Sequence, residues 1–239
     1  MHKVALQRYS KYRLFFDFCQ QKNETYEKNF KVAKFEEVCY ICAMYMPKSS
    51  QYQLSEITAT IAVDEYIQNY RDADKFICYC KQCDRYNACW ACPPFDFDVD
   101  KRLANYKNAY IIGTKVTLSD ELLSECIGAQ QCTDTSYRIL QEVRQSLDGK
   151  ILELEKQHPN SLAFSAGTCF LCKKEECMRI SGKPCLHPDQ IRPSLEACGF
   201  DIGKTTLQLL NIELKWGSQD RLPDYFVLVS GVFSTNCIK

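Results

Sequence analysis

Cysteine is the residue type whose number and spacing could do chemistry in this chain. Sixteen of the 239 residues are cysteine, and they are unevenly spread. Four lie in the segment GTCFLCKKEECMRISGKPC, spaced Cys169-x2-Cys172-x4-Cys177-x7-Cys185. A thiolate is a soft metal ligand, and four of them this close in the chain can all reach one centre. The C-x2-C turn lets two sulfurs point at one ion or cluster, and the longer arm returns through Gly182 and Pro184 to deliver Cys185. Zinc or a 4Fe-4S cluster would each be satisfied by four such sulfurs.

An earlier segment, CYCKQCDRYNACWACPP, holds five more thiols: Cys78-x-Cys80-x2-Cys83-x5-Cys89-x2-Cys92, followed by Pro93 and Pro94. Cys80, Cys83 and Cys92 form the natural core, because a C-x2-C turn and a Cys before Pro are how many iron-sulfur loops close. Local spacing makes Cys89 the fourth ligand and Cys78 a neighbour on the incoming segment. Three ligands alone would leave a coordination position open to substrate, as in a metalloenzyme. Structural zinc most often appears as two C-x2-C knuckles far apart in sequence, and neither group has that form by itself. Uneven spacing, a flanking Pro and the bulk of Trp90, Phe95, Phe97, Phe170, Leu171 and Met178 favour iron-sulfur over zinc, since apolar cover shields a cluster from water. The expected cofactor is therefore one or two 4Fe-4S clusters, with zinc as the alternative.

These residues resemble a known family. The run KFICYCKQCDRYNACWACPPFDFDV and the run AGTCFLCKKEECMRISGKPCLHPDQIRPSLEACGFDI, the second carrying Arg192-Pro193-Ser194-x-Glu196-Ala197-x-Gly199, are similar to a cysteine-rich prokaryotic domain of unknown function whose members are predicted metal-binding proteins. The similarity covers roughly Gln51 to Phe233, with two long motifs in the right order. It implies Cys80, Cys83 and Cys92 as ligands in the first group and Cys169, Cys172, Cys177 and Cys185 in the second. Cys89 falls where the family pattern requires no cysteine. Leu186 stands where the family often has a basic residue, so an anion contact expected there is missing. The resemblance supplies no substrate.

Other signals are weaker. Cys39-x2-Cys42 sits in an apolar stretch and reads as two buried structural cysteines; Cys19, Cys126, Cys132, Cys198 and Cys237 are isolated in sequence and read as buried. His187 is the one histidine beside a cysteine group. The run Gly203-Lys204-Thr205-Thr206 fails as a phosphate loop, because position 198 is Cys198 where that motif needs glycine and no strand precedes it. Arg192 and Glu196 stand i,i+4 on an expected helix and could pair.

The elements that must position these loops read as follows. A helix is expected over Tyr9–Gln21, a strand over Gln51–Ala62 despite imperfect alternation, and a short helix over Val63–Tyr70. A polar segment over Asp100–Asn108 leads to a strand over Tyr110–Leu118. Ile139, Leu140, Val143, Leu147, Ile151, Leu152 and Leu154 recur at spacings near three and four, so Thr133–His158 is expected as the longest helix, stopped by Pro159. A short strand over Leu162–Ala166 delivers the second cysteine group. A helix from Pro188 or Asp189 to Ala197 ends at Gly199, and a last strand spans Tyr225–Phe233. The expected architecture is α/β or α+β: compact layers of sheet and helices carrying two cysteine-rich metal-binding loops, with residues 1–50 as an N-terminal helical extension to a metal-binding domain over 51–239.

Whole-chain properties bound the function. Thirty Lys+Arg balance thirty Asp+Glu, which argues against nucleic acid. No apolar run is long enough for membrane insertion, and Arg8, Lys11, Arg13 and Asp17 interrupt any signal-peptide core, so a cytoplasmic protein is expected. In a reducing compartment clustered thiols read as metal or redox sites rather than disulfides. The leading expectation is an iron-sulfur protein in electron transfer, as a carrier working with a redox protein partner or as the reducing module of an anaerobic redox system. A zinc-stabilised protein-binding module and a metalloenzyme open at the first group are the alternatives. Oligomeric state is not encoded in these features.

Overall fold

The computed structural model describes residues 51–172, 177–218 and 220–238. The expected helix over Tyr9–Gln21, the extension over residues 1–50, and Cys19, Cys39 and Cys42 lie outside the described residues.

Four strands form one antiparallel sheet in the order β1-β2-β4-β3, with β1 at Tyr52–Ala62, β2 at Asn108–Leu118, β3 at Ser161–Phe164 and β4 at Tyr225–Ser234. The fold is therefore α+β. Between β1 and β2 run α1 (Val63–Tyr70), α2 (Ala73–Cys80) and α3 (Val99–Leu103), and between β2 and β3 run α4 (Asp120–Glu125) and α5 (Ala129–Gln157). The short helical turn α6 (Ile202–Lys204) precedes β4.

Both faces of the sheet are covered, and strand periodicity explains how. Successive side chains point to opposite faces. On one face Ala109, Ile111, Leu162, Phe164, Val229 and Phe233 pack with Tyr66 of α1 and with Leu195, Phe200 and Leu210. On the other, Val116 and Leu118 meet Ile139, Val143 and Leu147 of α5, while Ile112, Ala163 and Val232 meet Ile151. The four α5 residues recur at every fourth position and make one apolar stripe. The same geometry accounts for the irregular alternation of β1. Its first half packs Tyr52 and Leu54 toward α5, whereas its second half packs Ile57, Ala59 and Ile61 toward α1.

Several boundaries differ from the sequence expectation. The polar stretch before β2 contains α3, capped by the Asp98 carboxylate accepting from the Lys101 amide. Helix α5 starts four residues before Thr133, entered through Gly128 at φ 96°. The helix expected up to Ala197 is not formed: the segment holds an isolated parallel bridge between Ser165 and Ser194 and a 3-10 turn over Glu196–Cys198. Pro193 explains this, since it lacks an N–H and disfavours helical geometry at Arg192. Consequently Arg192 does not pair with Glu196; it donates from Nε to both Glu155 oxygens, at 3.0 and 2.9 Å. Gly199 does end the segment, at φ 91°, where a Cβ would stand 2.9 Å from the Ala73 Cα. That contact seats the 196–199 turn against the start of α2.

Cys126, Cys132 and Cys198 are buried, as expected, but Cys126 and Cys132 are not isolated in space, their sulfurs standing 3.7 Å apart. Cys237 is exposed, because it follows the last strand rather than lying within the sheet.

Candidate metal centre

Helix α2 delivers the first cysteine group. The Asp72 carboxylate caps it by accepting from the Lys75 amide at 3.0 Å, and Phe76 anchors it in the core. Beyond Cys80 the chain folds into consecutive turns: the Cys83 amide donates to the Cys80 carbonyl and the Cys92 amide to the Cys89 carbonyl, each at 3.0 Å. A C-x2-C pair closed in this way carries both sulfurs on one side of a tight loop. The second group leaves β3 through Ser165 and Gly167, the latter at φ 71°. No disulfide joins the described cysteines.

The two groups, far apart in sequence, meet. Cys89 stands close enough to Cys169 and Cys92 for their side chains to interact, and these neighbours, Cys169 foremost, hold Cys89 well below the ordinary thiol range. Cys92 and Cys169 are correspondingly pushed up, first by the Cys89 side chain and then by burial. Cys89 is 2 % exposed. The Thr168 hydroxyl lies 3.8 Å from the Cys92 sulfur, Cys172 acts electrostatically on Cys169, and Cys83 on Cys92.

Backbone amides also face the sulfurs. Cys83 accepts from Arg85 N at 3.5 Å, Cys169 from Leu171 N at 3.5 Å and Cys185 from His187 N at 3.3 Å. In each case the donor is two residues further on. The Leu171 N–H works against the upward push on Cys169. Cys80 sits differently: burial pushes it up to about 11, and it lies in the electrostatic range of Cys83, Glu196 and Cys198. Cys78 points away, its thiol donating to the Asp74 carbonyl at 3.2 Å. The geometry brings together Cys89, Cys92 and Cys169, with Cys172 and Cys83 around them. Among the described residues no three or more His, Cys, Asp or Glu side chains already stand in the arrangement that holds a metal ion.

Two arginines that the sequence reading did not single out hold the groups in register. Arg179, between Cys177 and Cys185, donates to the carbonyls of Cys89 (2.9 Å), Cys92 (2.7 Å) and Pro94, and lies 4.9 Å from the Trp90 ring. Trp90 returns a hydrogen bond from Nε1 to the Lys183 carbonyl at 3.0 Å. The loops are clasped from both sides. Arg144 of α5 reaches the Thr168 carbonyl beneath the centre. Neither arginine is adjacent in sequence to the group it grips, and basic residues in helices and loops are common, so no local pattern marks them.

A shallow groove of about 410 Å³ opens beside this region, lined by Trp90, Asp96, Gly182, Pro184, Cys185, Pro188 and Ile191. Trp90 and Cys185 both line it. Leu186 is 53 % exposed there. Among the described helices none is long and apolar enough to cross a membrane.

A family model described as predicted metal-binding protein (DUF2284) matches residues 66–233, well over half of the chain and inclusive of both cysteine groups. Searches of curated proteins and of solved structures find no significant match.

Proposed function

Because the chain belongs to this family of predicted metal-binding proteins, we propose that Cys89, Cys92, Cys169 and Cys172 hold its metal in one centre built from both cysteine groups. The observation that carries this reading is the contact of Cys89 with Cys169 across the two groups. Sequence spacing assigned each group its own site; the proximity of Cys89 and Cys169 supports a centre shared between the Cys89-x2-Cys92 turn and the Cys169-x2-Cys172 turn. The donor set is all sulfur, with Cys89 buried and Cys92, Cys169 and Cys172 half-buried, and sulfur donors fit a soft or borderline metal and not a hard cation such as calcium or magnesium.

The centre is a 4Fe-4S cluster, and the protein passes single electrons to a redox protein partner. Such a cluster, when bound, supplies one-electron exchange at a potential set by burial, net charge and hydrogen bonds to its sulfurs. The chain's own contribution is to aim amide N–H groups at Cys83, Cys169 and Cys185 and to keep Phe170 and Trp90 beside the thiols. Cys89, at the middle of the set, closes the position that a three-cysteine site would leave open, which favours a carrier over a catalyst. Cys80, Cys83, Cys177 and Cys185 lie on the same two loops and are the candidates for a second cluster, close enough in the chain for a relay.

A zinc-stabilised binding module is the second reading, and one observation favours it. Two C-x2-C turns brought together are the ligand pattern of a structural zinc site. Anaerobic purification separates the two. Brown protein with acid-labile sulfide and broad visible absorbance that bleaches on reduction is the expected result; colourless protein with stoichiometric zinc after iron-replete anaerobic expression would replace the cluster with the zinc module.

A further inference from the structure

Arg144 is the one charged side chain among the described residues that is fully buried, at 3 % exposure. A guanidinium in such a place is costly unless its charge is matched and its five N–H groups are used. Its protein partners fall short of that. Asp148 stands 3.5 Å away and is itself partly exposed; Glu196 acts on the guanidinium through space without a hydrogen bond, and the remaining contacts are the Thr168 carbonyl and the face of Phe170, 4.5 Å from Cζ. Nε has no partner, and neither has Asp148 Oδ1. Polar atoms left this way in a core point to a missing interaction.

The placement says what is missing. Thr168 and Phe170 are the residues on either side of Cys169, so Arg144 brackets that cysteine from below. Cys169 lies within range for its negative form to favour the charged guanidinium. Thr168 in turn reaches Cys92 with its hydroxyl. A divalent metal held by four thiolates carries a net negative charge, which a buried cation on this side would offset.

We propose that Arg144 is the positioning residue and buried counter-charge of the thiolate centre, fixing the 168–170 turn and stabilising the thiolates that bind metal. This rests on the reading of Cys89, Cys92, Cys169 and Cys172 as ligands. It reaches beyond it, because Arg144 lies on a helix outside both cysteine groups.

The test is titration of reduced, metal-free full-length protein with Co²⁺ alone, without oxygen, followed by thiolate-to-cobalt charge-transfer absorbance. Removing Arg144 alone would strand Asp148, so the neutral comparison is Arg144→Met with Asp148→Asn, set beside Arg144→Lys. The neutral pair is expected to bind Co²⁺ about 10- to 100-fold more weakly, the range seen when residues supporting metal ligands are lost. Arg144→Lys, which keeps the charge, is expected to recover most of that affinity. Unchanged affinity in a folded neutral pair, or an Arg144→Lys variant as weak as the neutral pair, overturns the role. If the neutral pair does not fold, the Lys variant decides alone, retention supporting the counter-charge and loss overturning it. Unmodified protein that takes up no Co²⁺ overturns this inference, whereas the metal-centre reading itself fails when anaerobic, iron-replete expression yields neither cluster nor zinc, so the two failures are told apart.

Discussion

The carboxyl of Glu196 shows how one residue records its surroundings. Its Oε2 is buried with no partner, and burial raises its pKa, with Ser194 and Arg144 pulling the other way. A carboxyl raised in the folded state keeps its proton longer there than in the unfolded chain. Stability therefore holds below the unfolded value of about 4.3 and declines as pH rises through the folded value. Glu196→Gln should accordingly be more stable than the unmodified protein at neutral pH, with the difference vanishing below about pH 4. Urea unfolding across pH reads this. A Gln variant less stable at pH 7 would mean that the charged carboxylate has a partner supplied by the loaded centre. The same pairing of burial and proximity distinguishes Cys89 from Cys78. Both sit in cysteine-rich sequence, yet one sulfur is set beside two other cysteines and the other turns back onto its own helix.

Elements matter here mainly as carriers of loops. Helix α2 and the turn at Gly199 set where the first group begins, and β3 with the Ser165–Ser194 bridge sets where the second begins. Glu155 ties these supports together: Oε1 accepts from the Ala163 amide at 2.7 Å while both oxygens accept from Arg192. The loops themselves depend on Arg179, which spends its fork on three carbonyls of the opposite group. Arg179→Ala should loosen the Cys89–Cys92 turn from the 177–185 arm, lowering metal affinity about 10- to 100-fold while leaving the sheet intact. Metal titration paired with far-ultraviolet circular dichroism checks both halves of that statement. Unaltered affinity would show that the two loops hold their register without the clasp.

At the scale of the whole molecule, the sheet with α5 on one face and α1 on the other is a frame whose edges present the two cysteine loops to each other. This has a stoichiometric consequence. If the groups were separate sites, Cys89→Ser and Cys169→Ser would each remove their own metal, and the double variant would lose the sum. With shared centres, either variant should remove the same metal, and the double variant should lose no more than one of them. Metal analysis of the three proteins decides it. Melting temperature should fall along with metal content in each single variant, since metal-binding free energy is realised in the folded state.

The sequence by itself determined most of the elements and the resemblance to a family of predicted metal-binding proteins. β1, α1, β2, α5 and β4 were legible because strand and helix periods are local, and clustered thiols announce soft-metal chemistry wherever they fall. It erred between residues 188 and 197, where a start at Pro188 or Asp189 and the breaker Gly199 suggested a helix that Pro193 breaks. It also left Arg144, Arg179 and Glu155 unmarked. Spacing along the chain divided the cysteines into two sites, and only the tertiary structure set Cys89 against Cys169. The physical reason is that periodicity reports which face of an element is apolar, whereas the meeting of two loops depends on sheet order and on long-range contacts that no local spacing encodes.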